Sequence, residues 1–157
     1  MKTRIGIAAL FAVVLALPIS VGLASANAYP IGKAAFSSTS GITGAAFVTR
    51  QLTSNQTHVA LRLSGLTSGQ VLTWQIVGGA ACGATPTSTL LTKVGSSTAT
   101  TLGTVMTSDY VAGTLSVTSG SAMMTVRVYD YSTGAIASEL ACAQIYGQPS
   151  MGSNHWW

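Results

Sequence analysis

The sequence predicts an all-β domain, a sandwich or barrel of short antiparallel strands. Three observations carry that expectation. Apolar residues recur with period two from residue 36 onward, turn-forming clusters punctuate the alternating runs, and no sustained helical periodicity follows the N-terminal segment. A chain of 157 residues has room for one such domain.

The first element in order is an address. Met1 to Arg4 are basic, Ile5 to Leu23 are apolar, and Ala26-Asn27-Ala28 is a small-residue cleavage pattern. Residues 1–28 therefore read as a signal peptide, and the expected localisation is secreted, extracellular or periplasmic. A retained anchor is the rival, but Pro18 and Gly22 near the end of the apolar run favour cleavage. Beyond residue 28 no apolar run approaches the ~20 residues of a membrane-spanning helix, so no span is expected after signal removal.

Residues 29–41 read as an N-terminal arm or a first strand. An arm of small and β-branched residues could add to the sheet edge of a second subunit. Val59, Leu61 and Leu63 alternate with His58, Ala60 and Arg62, and Leu72, Trp74 and Ile76 alternate with Val71, Thr73, Gln75 and Val77. Leu115 and Val117 continue the pattern, as do Met124, Val126 and Val128 against Thr125, Arg127 and Tyr129. One apolar face per strand is the mark of a half-buried antiparallel sheet. Ser68-Gly69, Gly78-Gly79, Gly95-Ser96, Gly120-Ser121 and Thr133-Gly134 supply turns between the runs. Residues 147–157, ending His155-Trp156-Trp157, read as a tail.

Charge narrows the function classes. Cleavage after Ala28 leaves five cations (Lys33, Arg50, Arg62, Lys93, Arg127) and three acids (Asp109, Asp130, Glu139). Three carboxylates argue against a carboxylate-rich metal site or a two-metal phosphoryl-transfer centre. The cations are scattered along the chain, with no cluster to follow a phosphate backbone, so no nucleic-acid partner is expected. Cys82 and Cys142 are the only cysteines. Export favours a disulfide between them, with two free thiols as the alternative.

Short motifs then point to a family. Gly65-Leu66-Thr67-Ser68-Gly69, the strand Leu72 to Val77, Gly78-Gly79 and Cys82-Gly83 resemble the copper/zinc superoxide dismutases. In that family a Gly-Leu-x-x-Gly turn leads into a strand bearing His-x-His, then a glycine-rich loop and the first disulfide cysteine. Glu139-Leu140-Ala141-Cys142-Ala143-Gln144-Ile145 is similar to the closing strand with the second cysteine, and Val126 to Asp130 to the strand ending Val-Val-His. The resemblance covers residues 42–146. It implies a flattened eight-stranded Greek-key β-barrel whose disulfide ties a long loop to the last strand.

The family's chemistry does not come with it. The outward positions of the copper-binding pair hold Gln75 and Val77, and the third strand histidine is matched by Tyr129. The stretch matching the zinc loop, residues 83–101, contains no His and no Asp, and the arginine that attracts superoxide is matched by Glu139. The mature chain has two histidines, His58 and His155, too few for a copper/zinc pair. The resemblance therefore implies a divergent member, a pseudoenzyme with neither metal nor cofactor.

Other chemistry is thin. No Gly-x-Ser-x-Gly elbow occurs. Asp109, Asp130 and Glu139 read as isolated surface carboxylates, and His58 as a solvent-facing histidine on the polar side of its strand. Asn55-Gln56-Thr57 fits the glycosylation acceptor pattern. Tyr129, Tyr131 and Tyr146 are candidate contact aromatics, and Trp156 and Trp157 candidate partner contacts. The expected function is a secreted non-catalytic module acting in extracellular structure, binding or assembly, by self-association or with an extracellular surface partner. The alternative is an extracellular metal-binding enzyme of dismutase-like type with a degenerate or partner-completed site.

Overall fold

A computed structural model describes residues 28–37, 41–79, 81–93, 95–115 and 123–147. Residues 1–27 of the expected signal peptide, Val117, His155, Trp156 and Trp157 lie outside the described residues, as does the tail after Gly147. The described chain is all-β, with two antiparallel sheets and one disulfide.

Its strands are β1 (Ala28–Ser37), β2 (Thr43–Gln51), β3 (Gln56–Ser64), β4 (Val71–Gly78), β5 (Ser88–Thr92), β6 (Ser97–Thr98), β7 (Val105–Ala112), β8 (Met124–Asp130), β9 (Glu139–Gln144) and β10 (Tyr146–Gly147). The first sheet runs β10-β1-β2-β3-β7 and the second β5-β4-β8-β9, with β6 also paired to β4. The chain changes sheet after β3, returns for β7, and changes again before β8. Among the described residues no helix is long and apolar enough to cross a membrane.

Period two becomes the core. Ile31, Ala34 and Phe36 of β1, Val59, Leu61 and Leu63 of β3, Leu72, Trp74 and Ile76 of β4, and Val126 and Val128 of β8 meet between the sheets. Residues 28–37 are thus a strand of this chain's own sheet, paired with β2 from Ala28↔Gln51 to Ser37↔Thr43. A segment so paired, with three apolar side chains in the core, is not free to augment another subunit.

Two glycines show how closely the ends of the strands approach. A Cβ on Gly32 would lie 2.5 Å from the Tyr146 carbonyl oxygen, so glycine lets β10 dock along β1. Gly65, at φ +83°, passes within 2.3 Å of the Gly41 carbonyl by the same measure and turns the chain from the first sheet toward the second. The next residue, Leu66, is buried, and its N–H donates to the Gly103 carbonyl at 3.0 Å. The Gly-Leu motif thereby becomes a plug joining the β3–β4 and β6–β7 connections. Leu115, expected in a strand, is buried just beyond β7 and outside regular structure.

Candidate functional site

The sequence directs attention to the outer face of the second sheet. β4 and β8 are adjacent and antiparallel, with Thr73↔Tyr129, Gln75↔Arg127 and Val77↔Thr125 in register. β9 continues the rows through Tyr129↔Glu139 and Arg127↔Cys142. Because Trp74, Ile76, Val126 and Val128 face the core, their alternates share the opposite face. Gln75, Val77, Tyr129 and Glu139 are thus brought together on one face, with Arg127 in their midst.

That face is covered. Thr73, Val77, Thr125 and Arg127 are each no more than 5% exposed, whereas the outward side of a two-layer sandwich is expected to be wet. The cover is the connection between β4 and β5, held in two ways. Cys82 within it is bonded to Cys142 of β9, with the Cα atoms 5.6 Å apart. The Arg127 guanidinium donates through Nη2 to the carbonyls of Ala81 at 3.0 Å and Ala84 at 2.6 Å. Its Nη1 donates to Glu139 Oε2 at 3.0 Å. One planar cation thus serves loop, strand and carboxylate at once, a use that suits arginine and not lysine.

This geometry corrects the reading of Glu139 as an isolated surface carboxylate, because Arg127 of the neighbouring strand pairs with it. Tyr129 lies beside the pair. Burial pushes its phenol above the usual tyrosine range, and the Glu139 charge adds to that while Arg127 opposes it. Gln75 donates to Thr92 Oγ1 at 3.3 Å. Beside them is an open depression of about 320 Å³, lined by Thr73, Thr92, Lys93, Tyr131 and Ile136 among others.

Asp109 is not a surface carboxylate either. It points inward from β7, accepts from Trp74 Nε1 at 3.0 Å on Oδ2, and pairs through Oδ1 with Lys93, whose side chain is 6% exposed. Burial alone would raise its pKa. Hydrogen bonds from Lys93 and Trp74 and the Lys93 charge prevail, holding the carboxyl below its ordinary value. The Trp74–Asp109–Lys93 group ties the sheets together where β5 and β7 flank the sandwich. Only Asp130 matches the expectation of a surface acid, and the Ser132 hydroxyl and N–H hold its pKa down.

His58 is half-buried rather than fully solvent-facing. It lies on the outer face of the first sheet, stacked on Tyr110 with ring centroids 4.6 Å apart, and its Nε2 is 2.8 Å from Ser108 Oγ. Asn55 is exposed in the β2–β3 turn at φ +46°, a conformation asparagine tolerates better than most residues. Among the described residues no three His, Cys, Asp or Glu side chains are grouped to hold a metal ion.

Comparison with family models, with curated proteins and with solved structures finds no match to this chain.

Sequence reasoning missed Arg127 and the Lys93–Asp109 pair. Parity placed Arg127 correctly, on the outward side of β8, but period two equates outward with wet. The available signal was scarcity. With so few carboxylates in the chain, an arginine set between Val126 and Val128 is a candidate for pairing rather than solvation.

Proposed function

We propose that this chain is an exported, non-catalytic module on a superoxide dismutase-like Greek-key scaffold, acting in extracellular structure, binding or assembly. The order of strands supports the scaffold. β1, β2, β3 and β7 form one layer and β4, β5, β8 and β9 the other, so each layer draws on both halves of the chain. A disulfide from the β4–β5 connection to β9 is the tether that the resemblance implies, and a disulfide suits an oxidising compartment.

The observation that carries the non-catalytic reading is Arg127. The three positions matched to copper ligands hold an amide, an isopropyl group and a phenol, and the space among them belongs to a buried guanidinium. Its donors are committed to Ala81, Ala84 and Glu139. The guanidinium holds Glu139, the one carboxylate on that face, and Gln75, Val77 and Tyr129 offer no imidazole to a metal cation.

The test is metal analysis of the full chain purified from an exporting host, dialysed against copper and then zinc, with a superoxide-quenching assay alongside. The expected result is no stoichiometric metal and no quenching above the buffer control. Near one equivalent of copper with activity would replace this reading with a metal-binding enzyme that completes its site by another route.

A further inference from the structure

The two ion pairs leave the remaining charges divided by layer. Lys93 is engaged by Asp109 and Arg127 by Glu139. Lys33, Arg50 and Arg62 are exposed on β1, β2 and β3 of the first sheet, while Asp130 ends β8 of the second. The only acidic side chains in the sequence are Asp109, Asp130 and Glu139. Asp109 faces inward, so the outer face of the first sheet has cations and no acidic side chain. Lys33 and Arg62 lie on that outer face, whereas Arg50 has the parity of Ala46 and Val48 and stands opposite buried Thr57 at the strand's end. Scattered in sequence, Lys33 and Arg62 are brought to one face by the fold.

The same face displays apolar side chains. Phe47 is 55% exposed, Met106 73%, Tyr110 58% and Tyr146 63%. Register sets them in order. Lys33 stands between Tyr146 and Phe47, opposite both, and Phe47 is opposite Ala60. Arg62 is two residues along β3 from Ala60, diagonal to Phe47, and Tyr110 is two residues along β7 from Ser108, the partner of Ala60. Strand spacing and rise put Phe47 and Tyr110 roughly 12 Å apart, with small Ala60 leaving the floor between them flat.

We propose that this face binds an acidic polysaccharide, an extended chain of uronate-type sugars. The apolar faces of its rings stack on Phe47 and Tyr110, and its carboxylates meet Lys33 and Arg62. Aromatic rings are suited to such stacking because they combine a large apolar surface with little conformational freedom to lose. The separation of the two rings exceeds a single sugar, which selects a polymer over a small ligand. The hydrogen-bonded chain Thr49–His58–Ser108 sets hydroxyl and imidazole groups beside the track for sugar hydroxyls.

Charge decides against the other occupants. A second copy docked face to face would set Lys33 and Arg62 against their own kind, with no acid to answer them. A bilayer would have to admit Phe47 and Tyr110 from mid-strand, taking Lys33 and Arg62 in with them, since neither aromatic projects on a loop. The choice of polysaccharide over single-stranded nucleic acid rests on the exported, binding-module reading above. Failure of one does not imply failure of the other, because metal analysis reads the second sheet and carbohydrate binding reads the first.

Isothermal titration calorimetry of the full chain with polygalacturonate at low salt tests the proposal, with fully methyl-esterified polygalacturonate as the uncharged ring control. Phe47→Thr and Arg62→Gln should each weaken binding about tenfold or more, and Ile136→Ser, on a second-sheet loop, should leave it unchanged. Esterified polymer should bind at least about tenfold more weakly than the acid. Thermal melts by circular dichroism confirm that each variant is folded, so a lost signal reports the surface. Absence of binding to polygalacturonate overturns the proposal. So do equal affinities for acid and ester, or indifference to both Phe47→Thr and Arg62→Gln. Binding confined to phosphatidylglycerol vesicles or to an oligothymidylate overturns it in favour of a membrane or nucleic-acid partner.

Discussion

The two sheets expose the same kind of sequence pattern and put it to opposite uses. On the first, the outward residues of β2, β3 and β7 are half-buried or exposed, as alternation alone would have them. On the second, the outward residues of β4 and β8 include Thr73, Val77, Thr125 and Arg127, all buried. The difference lies in a connection, not in the strands. Residues 81–87 return across the second sheet because Cys82 and Arg127 hold them there, and nothing described returns across the first. A sheet face is therefore open or closed according to what a loop can attach to.

Releasing the cover is the largest expected perturbation. Cys82 and Cys142 are 60 residues apart, and closing a loop of that length stabilises by about 4 kcal/mol in the chain-entropy account. The paired variant Cys82→Ser/Cys142→Ser should lose a similar amount in denaturant titrations. Hydrogen exchange should accelerate more in β4 and β8 than in β2 and β3. Uniform acceleration across both sheets would show that the cross-link serves the whole domain and not one face.

Arg127 comes next. Arg127→Met keeps much of the stem and removes the head, leaving Glu139 and the Ala81 and Ala84 carbonyls without their donor. A cost of about 3 kcal/mol is expected from breaking a buried charge pair of this kind. Arg62→Met on the open face should stay within about 0.5 kcal/mol, because its side chain is exposed with no such partners. Equal costs for the two arginines would erase the distinction between the faces.

The third effect depends on pH. The Asp109 carboxyl is held below its ordinary value in the folded chain, so the unfolded chain binds its proton first as acid is added. The stabilisation is present in full above the unfolded pKa and is lost as pH falls through the folded one. Stability should therefore decline below about pH 4, and Asp109→Asn should show a shallower decline from a lower starting value. Equally steep acid limbs in the two proteins would assign the decline to other groups. Asp109 stands between the sheets, so this dependence measures what joins the faces and not what separates them.

Much of this comparison was legible in the sequence, and the rest was hidden for a physical reason. Alternation in β3, β4 and β8 located the core residues Leu61, Trp74 and Val126 because apolar burial follows backbone geometry directly. The expectation of export and the isolation of the cysteines pointed to the disulfide. Pairing of Lys93 with Asp109, 16 residues away, was not legible. It depends on which strands become neighbours across the sandwich, and no local pattern encodes that. The burial of Arg127 was hidden likewise, since it is created by a loop whose sequence, Ala-Cys-Gly-Ala-Thr-Pro, announces only a turn. The grouping of Lys33 and Arg62 on one face arises from strands set side by side.

The smallest expected effect gives the sharpest comparison, because it sets one replacement on both faces. Phe47→Thr and Val77→Thr each place a β-branched residue with good strand propensity on an outward position. By size the first change is far greater. By environment the order reverses. Phe47 is 55% exposed and is flanked across its strand by flexible Lys33 and small Ala60, so little packing is lost and the cost should stay within about 0.5 kcal/mol. Val77 is fully buried, though it stands outside the core between the sheets. Its replacement is nearly isosteric but sets a hydroxyl under the loop, which costs roughly 1–3 kcal/mol without a partner. Denaturant midpoints at equal m-values would rank them. If Phe47→Thr costs more than Val77→Thr, then Phe47 is packed against something and the first sheet's outer face is not open. In that event the surface available to a partner would have to be sought on the second sheet, around the depression beside Tyr131 and Ile136.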